Sequence, residues 1–125
     1  MITYYTKEGK FKVYIYNNNL PINKLHREDG PAIIWNNGSK EWYINGVRHR
    51  TNGPAVIVPG YYKEWYVNSK LHRLDGPAVE WSDGEREYWI NGKVIETLEV
   101  ESWIKSNNIN LKTKQHQALF MLRFW

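Results

Sequence analysis

The sequence predicts a mostly β protein: an array of β-hairpin repeats forming an antiparallel sheet or a short solenoid, capped by two short C-terminal α-helices. Three observations predict it. A 23-residue unit occurs three times without a gap, hairpin turn residues separate β-forming runs within each unit, and the apolar period lengthens to a helical one after Gly92.

The units are residues 24–46, 47–69 and 70–92. His26, His49 and His72 coincide, as do Arg27, Arg50 and Arg73, the Gly-Pro-Ala triplets from Gly30, Gly53 and Gly76, and Asn45, Asn68 and Asn91. In each unit a short apolar run leads to Asn37-Gly38, Pro59-Gly60 or Asp83-Gly84, residues that accept the positive φ of a tight turn, and an aromatic run follows. Each unit therefore reads as a hairpin. In the connections between hairpins, Asp29, Asn52 and Asp75 suit turns, and the proline marks the start of the next strand. A lone hairpin is marginal in water, so the three must pair or stack. Alternation assigns Trp42/Ile44, Trp65/Val67 and Tyr88/Ile90 to the core, and Tyr43, Tyr66 and Trp89 to the outward side. Ala32, Ala55 and Ala78 fall on a side that Glu80 marks as partly wet.

The ends read as caps. Residues 3–16 resemble a worn hairpin with Glu8-Gly9 at the turn, and Asn17-Asn18-Asn19-Leu20-Pro21 is inserted before the first full unit. After Gly92, Leu98, Val100, Trp103 and Ile104 suit a short amphipathic helix with Thr97 as N-cap and Asn107-Asn108 as its end. A second helix is predicted from about Thr113, and its largely apolar Ala118–Trp125 must dock, over the open edge of the last hairpin in preference to another molecule. The expected organisation is one domain, 1–125: a cap hairpin over 1–23, three repeats over 24–92 and a helical cap over 93–125.

Composition excludes several classes. Hydrophobic residues make up 42% with seven tryptophans and nine tyrosines, too many for disorder. With no cysteine there are no disulfides, thiolate metal sites or cysteine nucleophiles. No apolar run reaches the ~18–20 residues of a membrane span, and Met1–Thr6 has no basic-then-apolar start, so a cytoplasmic protein is expected. The net charge of +4 is spread thin, basic minus acidic counts being 3 − 1 over 1–23, 10 − 9 over 24–93 and 4 − 3 over 94–125. Such a spread gives little support for a phosphate-binding surface.

The HRxDGPA motif with W-Y-x-N-G, over roughly residues 8–93, resembles the short-repeat proteins of bacteriophages, giant viruses and some bacteria loosely grouped with the MORN-repeat-variant class. The resemblance implies a β-hairpin array used as an interaction surface in a virus or mobile element. Ordinary MORN units have a different Gly/Tyr spacing, so their membrane and lipid associations do not carry over.

Three equivalent histidines invite a metal reading. Zinc, however, needs ligand nitrogens about 2.0–2.1 Å away, and equivalent residues of successive hairpins lie two strand spacings apart, roughly 9–10 Å. His26, His49 and His72 are expected instead to bond within their own connecting turns, to Asp29, Asn52 and Asp75. No metal and no cofactor is expected. Arg27, Arg50 and Arg73 share their period with Glu41, Glu64 and Glu87 and are expected to form an Arg–Glu ladder. No phosphate loop, Gly-x-Ser-x-Gly elbow or His-Glu-x-x-His is present, and the isolated His116 reads as a helix-surface residue, so no catalytic residue and no enzyme is expected.

The remaining surface is the outward ladder Tyr43, Tyr66 and Trp89, flanked by Glu41, Glu64 and Glu87. Its aromatics suit binding, and its acids favour a basic or mixed protein partner. The expected function is a non-enzymatic protein, phage-encoded by resemblance, that engages and blocks a host protein such as an antiviral defence factor. The alternatives are a nucleic-acid-binding module using Lys7, Lys10, Lys12, Arg48 and Arg50, and a virion component that self-associates through its tail. The expected oligomeric state is a monomer or a tail-mediated homodimer.

Overall fold

The computed structural model describes residues 1–14 and 20–125. It begins with β1 (Ile2–Thr6) and β2 (Gly9–Val13), followed by a 3-10 turn at Ile22–Lys24. The first unit contributes β3 (Ile33–Ile34), β4 (Lys40–Glu41) and β5 (Tyr43–Ile44), and β6 (Val47–Arg48) opens the second. The second continues with β7 (Val56–Val58), β8 (Tyr62–Glu64) and β9 (Tyr66–Val67), and β10 (Lys70–Leu71) opens the third. The third adds β11 (Val79–Trp81) and β12 (Arg86–Ile90); β13 (Lys93–Ile95) follows it, and then α1 (Thr97–Ser106) and α2 (Lys114–Phe124). Among the described residues no helix is long and apolar enough to cross a membrane.

Among the described residues nine strands form one sheet, β13-β12-β11-β8-β7-β4-β3-β1-β2, with every neighbouring pair antiparallel. The sheet is open, its edges being β13 and β2, and it does not close into a barrel. Two further two-stranded sheets, β5-β6 and β9-β10, branch from it.

Each unit makes two hairpins where the sequence reading gave it one. The first lies in the main sheet and turns at the expected Gly38, Gly60 and Gly84, all at positive φ. Asn37 and Asp83 stabilise their turns by accepting the N–H groups of Ser39 and Glu85, each at 2.9 Å. The chain then turns again at Asn45-Gly46, Asn68-Ser69 and Asn91-Gly92, with positive φ at both residues of every pair. That backbone is the type I′ turn of a two-residue hairpin, which Asn-Gly adopts with least strain.

The second turn overturns the assignment of faces in the first two units, whereas Tyr88 and Ile90, expected in the core, are buried there. The aromatic run does not continue as one flat strand, because β4 and β8 stop at Glu41 and Glu64 and the next residues open the small sheets. Tyr43, expected outside, is only 7% exposed, while Trp42 and Trp65, expected in the core, are half-buried. Ala32, Ala55 and Ala78, expected partly wet, are fully buried.

The N-terminal hairpin also differs from a worn unit. Thr6 pairs with Gly9, so the turn is Lys7-Glu8, and the Thr6 hydroxyl accepts the Glu8 N–H at 3.0 Å. A repeating unit offers its second strand to the next hairpin, but here the first strand, β1, pairs with β3 and leaves β2 outermost. β1 thus takes the place of a preceding unit's second strand. The end of the expected hairpin at Ile15-Tyr16 and the inserted Asn17-Asn18-Asn19 lie outside the described residues.

Both C-terminal helices dock on the last hairpin. Phe120 and Phe124 of α2 join Val100 of α1 and Tyr88, Ile90 and Ile95 of the sheet in one buried cluster. Phe120 meets Tyr88 edge-on at 6.2 Å and stacks near Trp103 at 6.2 Å. Burial with Glu101 close by pushes the Tyr88 hydroxyl up to about 12. Thr113 caps α2 by accepting the His116 N–H at 3.2 Å. Thr97, expected as the α1 cap, is instead its first residue and donates to the Arg86 carbonyl, while Glu96 holds the cap position without a side-chain bond. A second cluster, Ile2, Leu25, Ala32, Ile33 and Tyr43, fills the N-terminal end.

Candidate functional site

The recurring motif resolves into a structural clamp. Each histidine accepts a backbone N–H through Nδ1: His26 from Asn45 at 2.9 Å, His49 from Asn68 at 3.1 Å and His72 from Asn91 at 2.9 Å. The expected partners Asp29, Asn52 and Asp75 are taken by the arginines. Arg27 donates to Asp29 (3.0 Å), Arg50 to Asn52 (3.3 Å) and Arg73 to Asp75 (2.7 Å), and each arginine also reaches the carbonyl of the following proline, Pro31, Pro54 or Pro77. Their guanidinium planes lie over Tyr5, Trp42 and Trp65 at 3.8–3.9 Å. The motif glycine is required by this close approach: a Cβ at Gly53 would sit 2.9 Å from the Arg50 guanidinium carbon.

This clamp replaces the expected Arg–Glu ladder. Arg27, Arg50 and Arg73 make no ion pair with Glu41, Glu64 or Glu87 among the described residues; the acid that Arg73 reaches beyond its turn is Glu80, at 2.9 Å. His116 also serves structure, accepting the Asn110 N–H at 2.7 Å. Among the described residues no group of three His, Asp or Glu side chains is placed to hold a metal ion.

The three glutamates share one face of the main sheet. Register places Glu41, Glu64 and Glu87 in one row across the strands, alternating with Ile33, Val56 and Val79. The adjacent row projects from the opposite face, where Lys12, Lys40, Lys63 and Arg86 stand among Thr3, Ile34, Ile57 and Glu80, and Arg86 is paired with Glu101 of α1. One face therefore carries the carboxylate row and the other a mainly basic row.

On the acidic face each glutamate has a different set of partners. Glu41 accepts the Trp35 indole N–H (2.7 Å), the Tyr43 hydroxyl (3.3 Å) and Arg48 (2.7 Å). Glu87 accepts two indole N–H groups, from Trp81 (3.3 Å) and Trp89 (3.0 Å). Glu64 receives no side-chain hydrogen bond among the described residues, and burial, with Glu87 and Glu41 adding against Arg48, pushes its carboxyl up. Burial with Glu64 nearby likewise raises Tyr66, and Arg48 lies over its ring at 4.9 Å.

Of the six residues expected on a binding surface, the three glutamates share one face of the main sheet, and buried Tyr43 meets that row through its hydroxyl on Glu41. Tyr66 and Trp89 border the same face, and Tyr43 is packed beneath Arg48. Sequence reasoning missed Trp35 and Trp81, which orient the carboxylates, and Lys40 and Lys63 on the basic side. Of the basic residues offered for nucleic acid, Arg48 is committed to Glu41 and Arg50 to the stack on Trp42.

Beside Glu64 lies an open groove of about 590 Å³, with Trp35 and Tyr62 on its sides and Val56 and Val58 between them. Arg48, Ser39 and Glu41 also line it. No protein-family model, curated protein or solved structure matches this chain.

Proposed function

We propose that the chain is a non-enzymatic binding protein that engages another protein through the acidic face of an array of 23-residue units. In the setting that the family resemblance implies, it is phage-encoded and blocks a host protein, such as an antiviral defence factor, by steric occlusion. The observation that carries this reading is the row Glu41, Glu64 and Glu87 with its indoles held by hydrogen bonds. Aromatics already fixed in one rotamer lose little entropy on binding, and buried aromatic anchors beside oriented charges concentrate binding energy at protein interfaces.

The experiment is capture from nuclease-treated bacterial lysate with wild type, a Glu64→Lys/Trp81→Ala variant of the acidic face and a Lys40→Ala/Lys63→Ala variant of the basic face. The expected result is one protein retained by wild type and the basic-face variant and lost by the acidic-face variant. Retention that depends on nucleic acid and fails in the basic-face variant would overturn it.

The row Lys12, Lys40 and Lys63 favours a second reading, a nucleic-acid contact on the opposite face. Neutralising about three phosphates would give log K against log salt a slope of roughly −3. A slope near zero would remove that reading.

A further inference from the structure

The middle unit departs from its neighbours at two positions that line the groove. Trp35 and Trp81 stand six residues before Glu41 and Glu87 and donate to them, but the residue six before Glu64 is Val58. Where the flanking units carry Leu25 and Leu71, the middle unit carries Arg48. The first change removes an indole and its N–H. The second brings a guanidinium to the other side of the space that this indole would fill.

Around that space Glu64 receives no side-chain hydrogen bond among the described residues, while the Arg48 guanidinium already donates to Glu41 and to the Tyr43 hydroxyl. A half-buried carboxylate without a donor is best met by an occupant that brings one, so the occupant must supply a donor for Glu64. An anion is opposed by the row of carboxylates. A cation would lie between Glu64 and the guanidinium of Arg48, gaining from one and losing to the other. A neutral aromatic N–H satisfies the carboxylate with no second positive charge.

We infer that this groove receives a tryptophan side chain of the partner protein, its indole donating to Glu64 as Trp35 donates to Glu41. The inference rests on the protein-binding reading and names the chemistry of the partner's anchor.

The test titrates N-acetyl-tryptophan amide into the ¹⁵N-labelled full chain and follows amide shifts, beside Val58→Trp, Glu64→Gln and the arginine and phenylalanine amides. Saturable shifts are expected at Ser39, Val58, Tyr62 and Glu64. Val58→Trp, which supplies the indole from within, should abolish them, and Glu64→Gln should weaken binding roughly tenfold, the loss of one charge-assisted hydrogen bond. Should Val58→Trp not fold, Val58→Phe fills the same space and serves in its place. No saturable binding by wild type, unchanged binding by the filled variant, or tighter binding of the arginine amide overturns the inference. The capture experiment separates the two readings. A partner still held by Val58→Trp sinks the groove and leaves the acidic face standing, whereas a wild type that captures nothing sinks the face itself.

Discussion

His49 accepts at Nδ1 the backbone N–H of Asn68, nineteen residues further on and 3.1 Å away. With His26 to Asn45 and His72 to Asn91, this bond ties the start of every unit to the turn that ends it. Only a neutral imidazole carrying its proton on Nε2 can accept there. The length of the unit is thus held by this bond.

Stability should therefore depend on pH in a defined direction. Burial holds the His72 imidazole below its ordinary 6.5. Just below that value the unfolded chain binds more protons than the folded one, so stability rises with pH through the interval, is full above about pH 7 and is lost as pH falls through the lowered folded value. Urea midpoints should be level from about pH 7 to 8 and fall below about pH 6.5. His72→Ala should cost about 1–2 kcal/mol at neutral pH and show a shallower acid fall. An undiminished fall in that variant would contradict the assignment.

Arg73 lies 3.8 Å over Trp65 while donating to Asp75, Pro77 and Glu80. Arg73→Ala should lower stability by about 2–3 kcal/mol in chemical denaturation. Arg73→Lys should recover less than half of that, because an ammonium has no planar fork to stack and bond at once. Equal stability of the lysine variant and wild type would show that charge alone matters there.

Phe120 is fully buried between Tyr88, Trp103 and Phe124. Phe120→Ala should cost about 3–5 kcal/mol. Hydrogen exchange should then quicken first in α1, α2 and β13. A variant that loses the helices' protection yet keeps wild-type stability would mean that the tail does not cap the sheet.

Glu64 predicts the opposite sign. Its raised carboxyl binds more protons folded than unfolded above the ordinary 4.5, so its contribution becomes unfavourable as pH rises through that range. Glu64→Gln should be more stable than wild type at pH 7, with the gain vanishing at about pH 4 and below. A destabilised glutamine variant at neutral pH would show that the carboxylate has a partner. The gain in stability would come with loss of binding, as at sites kept for function.

Much of this fold is legible in the residues. The ungapped register and the Gly38, Gly60 and Gly84 turns give the hairpins, and the spacing of Leu98, Val100, Trp103 and Ile104 gives α1. The second hairpin was legible too, since Asn45-Gly46 and Asn91-Gly92 carry the same signal as Asn37-Gly38, but a continuous aromatic run read as one strand. That reading turned Tyr43 to the wrong side. The pairing of Arg50 with Trp42 instead of Glu64 was hidden because period alone cannot say which of two co-periodic partners a side chain meets. Of the site, the glutamate row was visible in the sequence, as was the substitution of Val58 for tryptophan. The groove was not, because its sides come from different units and meet only through strand register.

The most direct test of the binding face uses adjacent residues that point to opposite sides. A photoreactive phenylalanine derivative placed at Tyr62, beside the groove, or at Lys63, on the basic face, would be irradiated in nuclease-treated bacterial lysate and the adducts identified by mass spectrometry. The acidic-face account predicts one protein adduct from position 62 and none from 63. An adduct from 63 alone would contradict it and turn the molecule around.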